Sequence, residues 1–165
     1  MNKKKFKITK FFDGVSGEKT KGLNKYLKLG NSQNITIDLK NNVYVAETEN
    51  YCIRKISQKG ESSFLFGPNS PGEFIIHPYG ITLNSKNDIF ITDCDNHYIR
   101  KISQNGIICN FAGTKEKGYK NGDKENAQFN FPLMRVKNEQ ENADCARIRC
   151  DSGLSRQPIY KRLQK

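Results

Sequence analysis

Residues 81–113 read ITLNSKNDIFITDCDNHYIRKISQNGIICNFAG, and residues 35–67, which lie 46 positions earlier, read ITIDLKNNVYVAETENYCIRKISQKGESSFLFG. Thirteen of the 33 aligned pairs are identical, and most of the others exchange one apolar residue for another or one acid for another. A period of this length is typical of arrays in which neighbouring units bury each other's faces. The sequence therefore predicts two like units stacked side by side.

Each copy divides into four short apolar runs separated by Asn, Asp, Ser and Gly, which are turn-forming residues. In the second copy the runs cover residues 81–83, 89–92, 98–102 and 107–111. They are rich in β-branched and aromatic residues, and several are apolar on consecutive positions, which indicates strands covered on both faces. Four such strands in about 46 residues are typical of a β-propeller blade. Paired helices do not fit, because the turn signals come too often for helices of ordinary length.

The second copy resembles the NHL repeat. His77-Pro78-Tyr79-Gly80-Ile81 matches the opening of that repeat, Asp93 matches its acidic position, and residues 96–102 (NHYIRKI) match its core. The first copy has Glu47 at the acidic position and NYCIRKI at residues 50–56, and residues 112–132 resemble a connector between blades of this family. The resemblance implies a structural role for ten signature residues: Asn50, Ile53, Arg54, Lys55, Asp93, Asn96, His97, Ile99, Arg100 and Lys101.

We therefore expect an all-β fold, a partial β-propeller of two four-stranded antiparallel blades with irregular flanks. The first blade is expected at residues 31–78, and the second, with its long connector, at 79–132. Residues 1–30 are interpreted as a basic segment, the remnant of a preceding blade, in which residues 6–14 (FKITKFFDG) would form the last strand. Residues 133–165 show no blade pattern and are expected to be disordered or foreign to the family, the product of a frameshifted or misjoined coding end.

The net charge of +11 lies entirely in the flanks. Residues 1–30 carry nine Lys and two acids (+7), residues 31–132 carry eleven basic and eleven acidic residues (0), and residues 133–165 carry eight basic and four acidic residues (+4). A basic flank can contact RNA, DNA or an acidic lipid surface, although solvated Lys-rich termini are common. No apolar stretch is long enough to span a membrane, and no export signal precedes the five Cys, so we expect reduced thiols in the cytoplasm.

The sequence carries no pattern that indicates catalysis. It has no nucleophile elbow, phosphate-binding loop or paired catalytic carboxylates, and its two His residues are too few for a propeller metal centre. Acids and amides near the second copy's turns recur in the first copy, which favours turn chemistry over a calcium site. We therefore expect no cofactor, no metal and no enzyme activity.

The function that we expect from the family resemblance is that of a non-catalytic scaffold for protein interaction. The loops that would contact the partner include the connector residues Lys115, Lys117, Tyr119 and Lys120. Self-association that covers the open edges of the blades is a further expectation. Three alternatives stay open: binding of single-stranded RNA through the basic flank and the connector, a fragment of a lyase-like or lactonase-like propeller, and a gene remnant without function.

Overall fold

The structure, a computed structural model, describes residues 29–67, 70, 75–103, 107–135 and 147–150, with residues 134, 135 and 147–150 described by their backbone alone. Within these ranges the regular secondary structure is entirely β, arranged as two four-stranded antiparallel sheets and one two-stranded sheet. The predicted all-β fold of two antiparallel blades is therefore confirmed. The proposed remnant blade at residues 6–14 lies outside the described residues and stays a prediction.

Both blades are meanders in which each strand pairs with the next along the chain. The first blade consists of β1 (Ser32–Ile37), β2 (Val43–Glu47), β3 (Cys52–Ile56) and β4 (Ser62–Phe66). The second consists of β5 (Pro78–Leu83), β6 (Ile89–Asp93), β7 (Tyr98–Ile102) and β8 (Ile108–Ala112). The third and fourth strands of each sheet slip in register at the same place, so that Leu65 and Phe111 are the extra residues of equivalent bulges.

The turn between the first two strands of each blade is held by one polar side chain. Asp38 accepts hydrogen bonds from the main-chain amides of residues 40 and 42 at 2.9 and 2.8 Å, and Asn84 does the same for residues 86 and 88 at 3.0 and 2.9 Å. Asn41 and Asn87 supply the left-handed backbone of these turns, with φ of 59° and 60°. Asn tolerates this conformation better than most residues, which explains why it recurs at this position.

The core between the blades is built from one apolar face of each sheet. Tyr44, Ala46, Ile53 and Phe66 of the first blade share a cluster with Ile81, Ile89, Ile91 and Ile102 of the second. All are at most 7% exposed. This shared core accounts for the runs of consecutive apolar residues, because the second blade is covered again on its other face.

That other face is covered by the connector, residues 113–131. The connector folds back on itself through bridges that pair Lys117 with Phe129 and Lys120 with Gln128. Ala127 and Phe129 are thereby buried against the face of the second blade that carries Phe90, Ile99 and Ala112. The connector is therefore part of the packed structure, not a bare loop.

Two further strands, β9 (Pro132–Arg135) and β10 (Arg147–Cys150), form an antiparallel pair within the tail for which the sequence predicts no blade. Strand β9 lies against β5 and β6 of the second blade, as β5 lies against β1 and β2 of the first. It therefore stands where the first strand of a third blade belongs. Strand pairing uses main-chain groups, so a segment without the repeat's side-chain pattern can still take this place. The rest of residues 136–165 lies outside the described residues.

Candidate interaction surface

The signature residues of the first blade form a buried ion pair. Arg54 donates from Nε to Glu47 Oε1, and from Nη2 to Oε2 at 3.2 Å, while both side chains are almost fully buried. Asn50 Nδ2 and the Gly30 amide also donate to Glu47 Oε2, at 2.7 and 3.1 Å. Arg54 Nη1 donates to Ser62 Oγ at 3.3 Å. The carboxylate is therefore surrounded by donors, as a buried charge requires.

The second blade repeats this arrangement with a shorter acid. Arg100 Nε donates to Asp93 Oδ2 at 2.9 Å, and Asn96 Nδ2 donates to the same oxygen at 2.9 Å. The Ile76 amide, which corresponds to that of Gly30, donates to Asp93 Oδ1 at 2.9 Å. Arg100 also contacts Asn110 Oδ1 through Nη1. Each arginine therefore ties the turn, the acid and the fourth strand of its own blade together.

The two acids titrate in opposite directions. Burial alone would raise the pKa of Glu47, but the hydrogen bonds from Arg54, Asn50 and Gly30 hold it below its ordinary value. Burial raises the pKa of Asp93 above its ordinary value, although the donors around it act in the other direction. Two guanidinium nitrogens of Arg54, together with Asn50 and the Gly30 amide, donate to the charged form of Glu47, which lowers its pKa.

The remaining signature residues also have structural contacts. Ile53 and Ile99 are 0% exposed. Ile53 lies in the core between the blades, and Ile99 lies in the core between the second blade and the connector. Lys101 Nζ forms an ion pair with Asp88 at 2.8 Å, and Lys55 Nζ lies 5.8 Å from the centre of the Tyr44 ring. The two lysines therefore contact their own blade, whereas Ile53 packs against the second blade and Ile99 against the connector.

The turn between the second and third strands of each blade contacts the residue directly before the first strand of the next sheet. The Tyr51 ring lies 5.4 Å from the His77 ring, and the His97 ring lies 5.1 Å from the Phe131 ring. Tyr51 and His97 are equivalent residues, and His77 and Phe131 each precede the proline that begins β5 or β9. All four have positive φ, between 46° and 58°. We call these four side chains the aromatic row, and the side of the molecule that carries them the turn face.

Polar contacts accompany the aromatic row. Asp95 pairs with His77 through Oδ2 and Nδ1, and in the first blade the equivalent Glu49 accepts from Asn31 Nδ2 at 3.2 Å. The Phe131 amide donates to His97 Nδ1 at 3.3 Å, which assigns the acceptor role to that nitrogen. The rings are nevertheless open to solvent: Tyr51 is 45% exposed and Phe131 40%.

Two of the connector's four predicted contact residues, Lys117 and Tyr119, lie beside the aromatic row. Lys117 Nζ lies 5.7 Å from the centre of the Phe131 ring, and Tyr119, which is 49% exposed, accepts a hydrogen bond from Asn130 Nδ2 through its hydroxyl. Lys115 and Lys120 are exposed, Lys115 with a φ of 68°. Lys117 and Tyr119 are therefore continuous with the aromatic row.

The aromatic row is not visible in the sequence as a unit. Tyr51 and His97 are visible as equivalent positions of the repeat, but their partners lie 26 and 34 residues further along the chain. The available signal was an aromatic ring directly before a proline, at 77–78 and again at 131–132, although the two connectors differ in length. The residue before the proline is His in one place and Phe in the other, so aligning the two repeats does not reveal the equivalence.

Metal and cysteine chemistry add nothing to this surface. Among the described residues no group of three or more His, Cys, Asp or Glu is placed to hold a metal ion. Cys52, Cys94 and Cys109 are reduced cysteines, the first two buried and the third exposed. Within the same part of the chain no helix has the length and apolar character that crossing a membrane requires.

Comparison with known proteins identifies the fold. No protein-family model matches the sequence, and no curated protein matches it. Solved structures do match: a protein of unknown function from Bacteroides thetaiotaomicron VPI-5482 has 17% identity and a TM-score of 0.61 over 76% of this chain and 34% of its own. An auxiliary nutrient binding protein from Bacteroides ovatus ATCC 8483 has 20% identity and a TM-score of 0.58 over 76% and 36%. A gluconolactonase from Xanthomonas campestris has 10% identity and a TM-score of 0.52 over 73% and 35%.

These neighbours are β-propeller proteins, and this chain spans about a third of the length of each. The chain therefore has the fold of part of a β-propeller. At these identities the similarity concerns the fold alone, because propellers serve many unrelated functions.

Proposed function

We propose that this partial propeller is of the NHL type and is a non-catalytic module that binds a protein partner in the cytoplasm through its turn face. The assignment to NHL repeats is supported by the buried acid, Asn and Arg network, which uses the signature residues of both blades. The reduced cysteines at residues 52, 94 and 109 suit a reducing compartment.

The single observation that carries the proposal is that one set of side chains is buried within the blades and another set is exposed on the turn face. The arginines and acids of the repeat are buried within the blades, whereas aromatic rings and lysines remain open on one face. Tyr and Phe supply large contact area at low entropic cost and are enriched at protein interfaces. A partner with an apolar centre and an acidic rim would match Tyr51, Phe131 and Lys117.

The test compares two matched variants of the full chain in affinity capture from cell extract. The first carries Tyr51→Asn, Lys117→Ser and Tyr119→Ser, in which Asn tolerates the positive φ of residue 51. The control carries Lys40→Ser and Lys59→Ser, at exposed positions in turns at the opposite ends of the strands. We expect a protein that the wild type and the control retain and the first variant loses, with at least a tenfold weaker Kd for the purified pair.

Recovery of the same proteins by all three forms would contradict the proposal. Hydrolysis of a lactone by the purified chain, at a rate abolished by substitutions in the turn face, would contradict its non-catalytic part.

RNA binding is a second candidate, which the exposed Tyr119 among Lys115, Lys117 and Lys120 favours. Bases stack on exposed aromatic rings, and lysines contact the backbone phosphates. Binding of a fluorescent single-stranded oligouridine should then weaken steeply between 50 and 200 mM salt, as counterion release requires. A flat salt response, or equal binding by the variant that carries Lys117→Ser and Tyr119→Ser, would rule out this site.

A further inference from the structure

The aromatic row consists of two ring pairs that recur at successive joints of the fold. Tyr51 contacts His77 where the first blade meets the second, and His97 contacts Phe131 where the second blade meets β9, with ring centres 5.4 and 5.1 Å apart. Asp95 lies on the same turn as His97 and pairs with His77, so it links one ring pair to the other. The four rings therefore form one continuous strip on the turn face.

The stacking of the blades sets the distance between the two ring pairs. Sheets packed face to face lie about 10 Å apart, so equivalent side chains of successive blades recur at about that interval. A polyproline II helix advances about 3.1 Å per residue and has three residues per turn, so the same side of it recurs about every 9 Å. A ligand in this conformation therefore places a residue on each ring pair when every third residue contacts the surface.

The main chain of these turns is already hydrogen-bonded within the protein. The Tyr51 amide donates to the Thr48 carbonyl at 3.2 Å, and the His97 amide donates to the Cys94 carbonyl at 3.2 Å. The Cys94 amide donates in turn to the His77 carbonyl at 3.4 Å. A ligand that adds as a β-strand needs a row of unpaired main-chain groups, and these groups are occupied. Recognition at the aromatic row therefore depends on side chains.

The rings also supply hydrogen-bond donors. The Phe131 amide donates to His97 Nδ1 at 3.3 Å, so the neutral His97 ring carries its hydrogen on Nε2. The exposed Tyr51 side chain adds a phenol hydroxyl. The carbonyl groups of a polyproline II segment make no internal hydrogen bonds and can accept from such donors, whereas those of a helical ligand are already paired. The side chains of the row therefore favour an extended, proline-rich ligand over a helix.

The two ends of the strip differ in charge. Lys117 Nζ lies 5.7 Å from the centre of the Phe131 ring, and Lys115 and Lys120 are exposed on the same connector. At the other end, Glu49 is exposed on the turn that carries Tyr51. An acidic ligand residue therefore fits beside Lys117, next to the second ring pair.

We propose that the aromatic row binds a proline-rich peptide in the polyproline II conformation, with prolines three residues apart on the two ring pairs and an acidic residue beside Lys117. This inference rests on the proposed function, because it names the partner segment for the same surface. The rings are already paired in the unbound protein, and a polyproline II segment is largely ordered before it binds. Binding therefore requires little further ordering on either side.

Fluorescence anisotropy of labelled synthetic peptides, titrated with the full chain, tests this proposal. The probe is a twelve-residue peptide of proline and alanine with a proline at every third position and two glutamates at one end. We expect saturable binding that is at least fivefold weaker for prolines at every fourth position and for the all-D peptide. Tyr51→Asn and Phe131→Asn, which the positive φ of both residues tolerates, should each weaken binding at least fivefold. The control with Lys40→Ser and Lys59→Ser should bind within twofold of the wild type.

Lys117→Ser gives an independent measurement on an exposed side chain. It should weaken binding of the glutamate-ended peptide at least threefold and leave binding of an alanine-ended peptide unchanged. Circular dichroism checks that each variant is folded, and if an aromatic variant unfolds, the comparison is made with Lys117→Ser, for which equal binding of the two peptides counts against the proposal.

Three results would overturn the inference: no binding at about 1 mM probe, equal binding of the all-D or period-four peptide, or tighter binding of an all-alanine peptide, which favours a helix. The proposed function fails separately, when affinity capture shows no protein that the turn-face variant loses. A captured partner together with a silent proline-rich probe would leave the proposed function standing and remove this inference alone.

Discussion

Cys94 donates its thiol hydrogen to the carbonyl oxygen of Pro132 across 3.1 Å, at the position where one blade earlier Thr48 donates its hydroxyl to Pro78 at 2.8 Å. The two bonds join a turn of one blade to the first strand of the next sheet. Their recurrence shows that β9 is placed by the same contacts as β5. A thiol and a hydroxyl serve the same purpose because each has one hydrogen to donate.

Cysteine reactivity should follow this placement. Burial raises the pKa of the Cys94 thiol to about 12, so the thiolate that reacts with alkylating reagents is scarce at neutral pH. We expect iodoacetamide to label the exposed Cys109 rapidly in the folded protein, and Cys94 at least tenfold more slowly, as read by peptide mass spectrometry. Unfolding in urea should equalise the two rates; comparable labelling in the folded state would contradict the burial of Cys94.

The donor role of Cys94 gives a second prediction, for the paired variants Cys94→Ser and Cys94→Ala. Serine keeps a donor for the Pro132 carbonyl, whereas alanine leaves that carbonyl without it. Alanine should therefore be less stable than serine by about 0.5–1.5 kcal/mol, the net contribution of one hydrogen bond. The free energy of urea unfolding provides the measurement, and a more stable alanine variant would exclude the bond.

Two equivalent glycines offer a matched comparison. Gly113 has a φ of 114°, and a Cβ there would lie 2.7 Å from the His97 carbonyl oxygen. The equivalent Gly67 would place a Cβ 3.5 Å from the Phe64 ring, an ordinary contact. We expect Gly113→Ala to lose about 1–3 kcal/mol of unfolding free energy because of backbone strain and overlap, and Gly67→Ala to lose clearly less. Equal losses in thermal or urea unfolding would show that the two connectors do not differ in this way.

The buried pair in the first blade should behave as a coupled unit. Arg54→Met leaves the Glu47 carboxylate buried without its cation and should cost about 3–5 kcal/mol. Adding Glu47→Gln to Arg54→Met should recover part of that loss, since the uncompensated charge is removed. A double-mutant cycle measures the coupling, and a coupling energy near zero would mean that the two side chains do not interact in the folded protein.

The two acids predict opposite responses to pH. The pKa of Glu47 is lowered on folding, so its stabilising contribution is present above its ordinary value of 4.5 and is lost as the pH falls below it. The pKa of Asp93 is raised above its ordinary value of 3.8 in the folded protein. At pH values just above 3.8 the folded protein therefore binds a proton at Asp93 more readily than the unfolded chain does, which favours the folded state. Between pH 6 and 3, Glu47→Gln should therefore flatten the decline in unfolding free energy, and Asp93→Asn should steepen it. Parallel profiles for the two variants would contradict this assignment.

Much of the blade was predictable from local sequence. The position of each strand and the turn-forming Asn residues between strands follow from short-range pattern and repeat spacing, whereas the structural role of Arg54 and Arg100 was implied by the resemblance to NHL repeats. A strand or turn depends mainly on residues a few positions away, so a single copy carries the signal and the second copy reinforces it. Strand β9 was not predictable in this way, because its place is set by contacts with β5 and β6.

The aromatic row and the exposure of Ile35 depended on tertiary structure. Tyr51 meets His77 across a blade boundary, and Ile35 differs from Ile81 only in what lies opposite it. By itself, the sequence determined that two like four-stranded units follow one another. The packing of one sheet on the next decided which of their equivalent side chains are buried and which form a surface, because burial is a property of the neighbour across the interface and not of the residue.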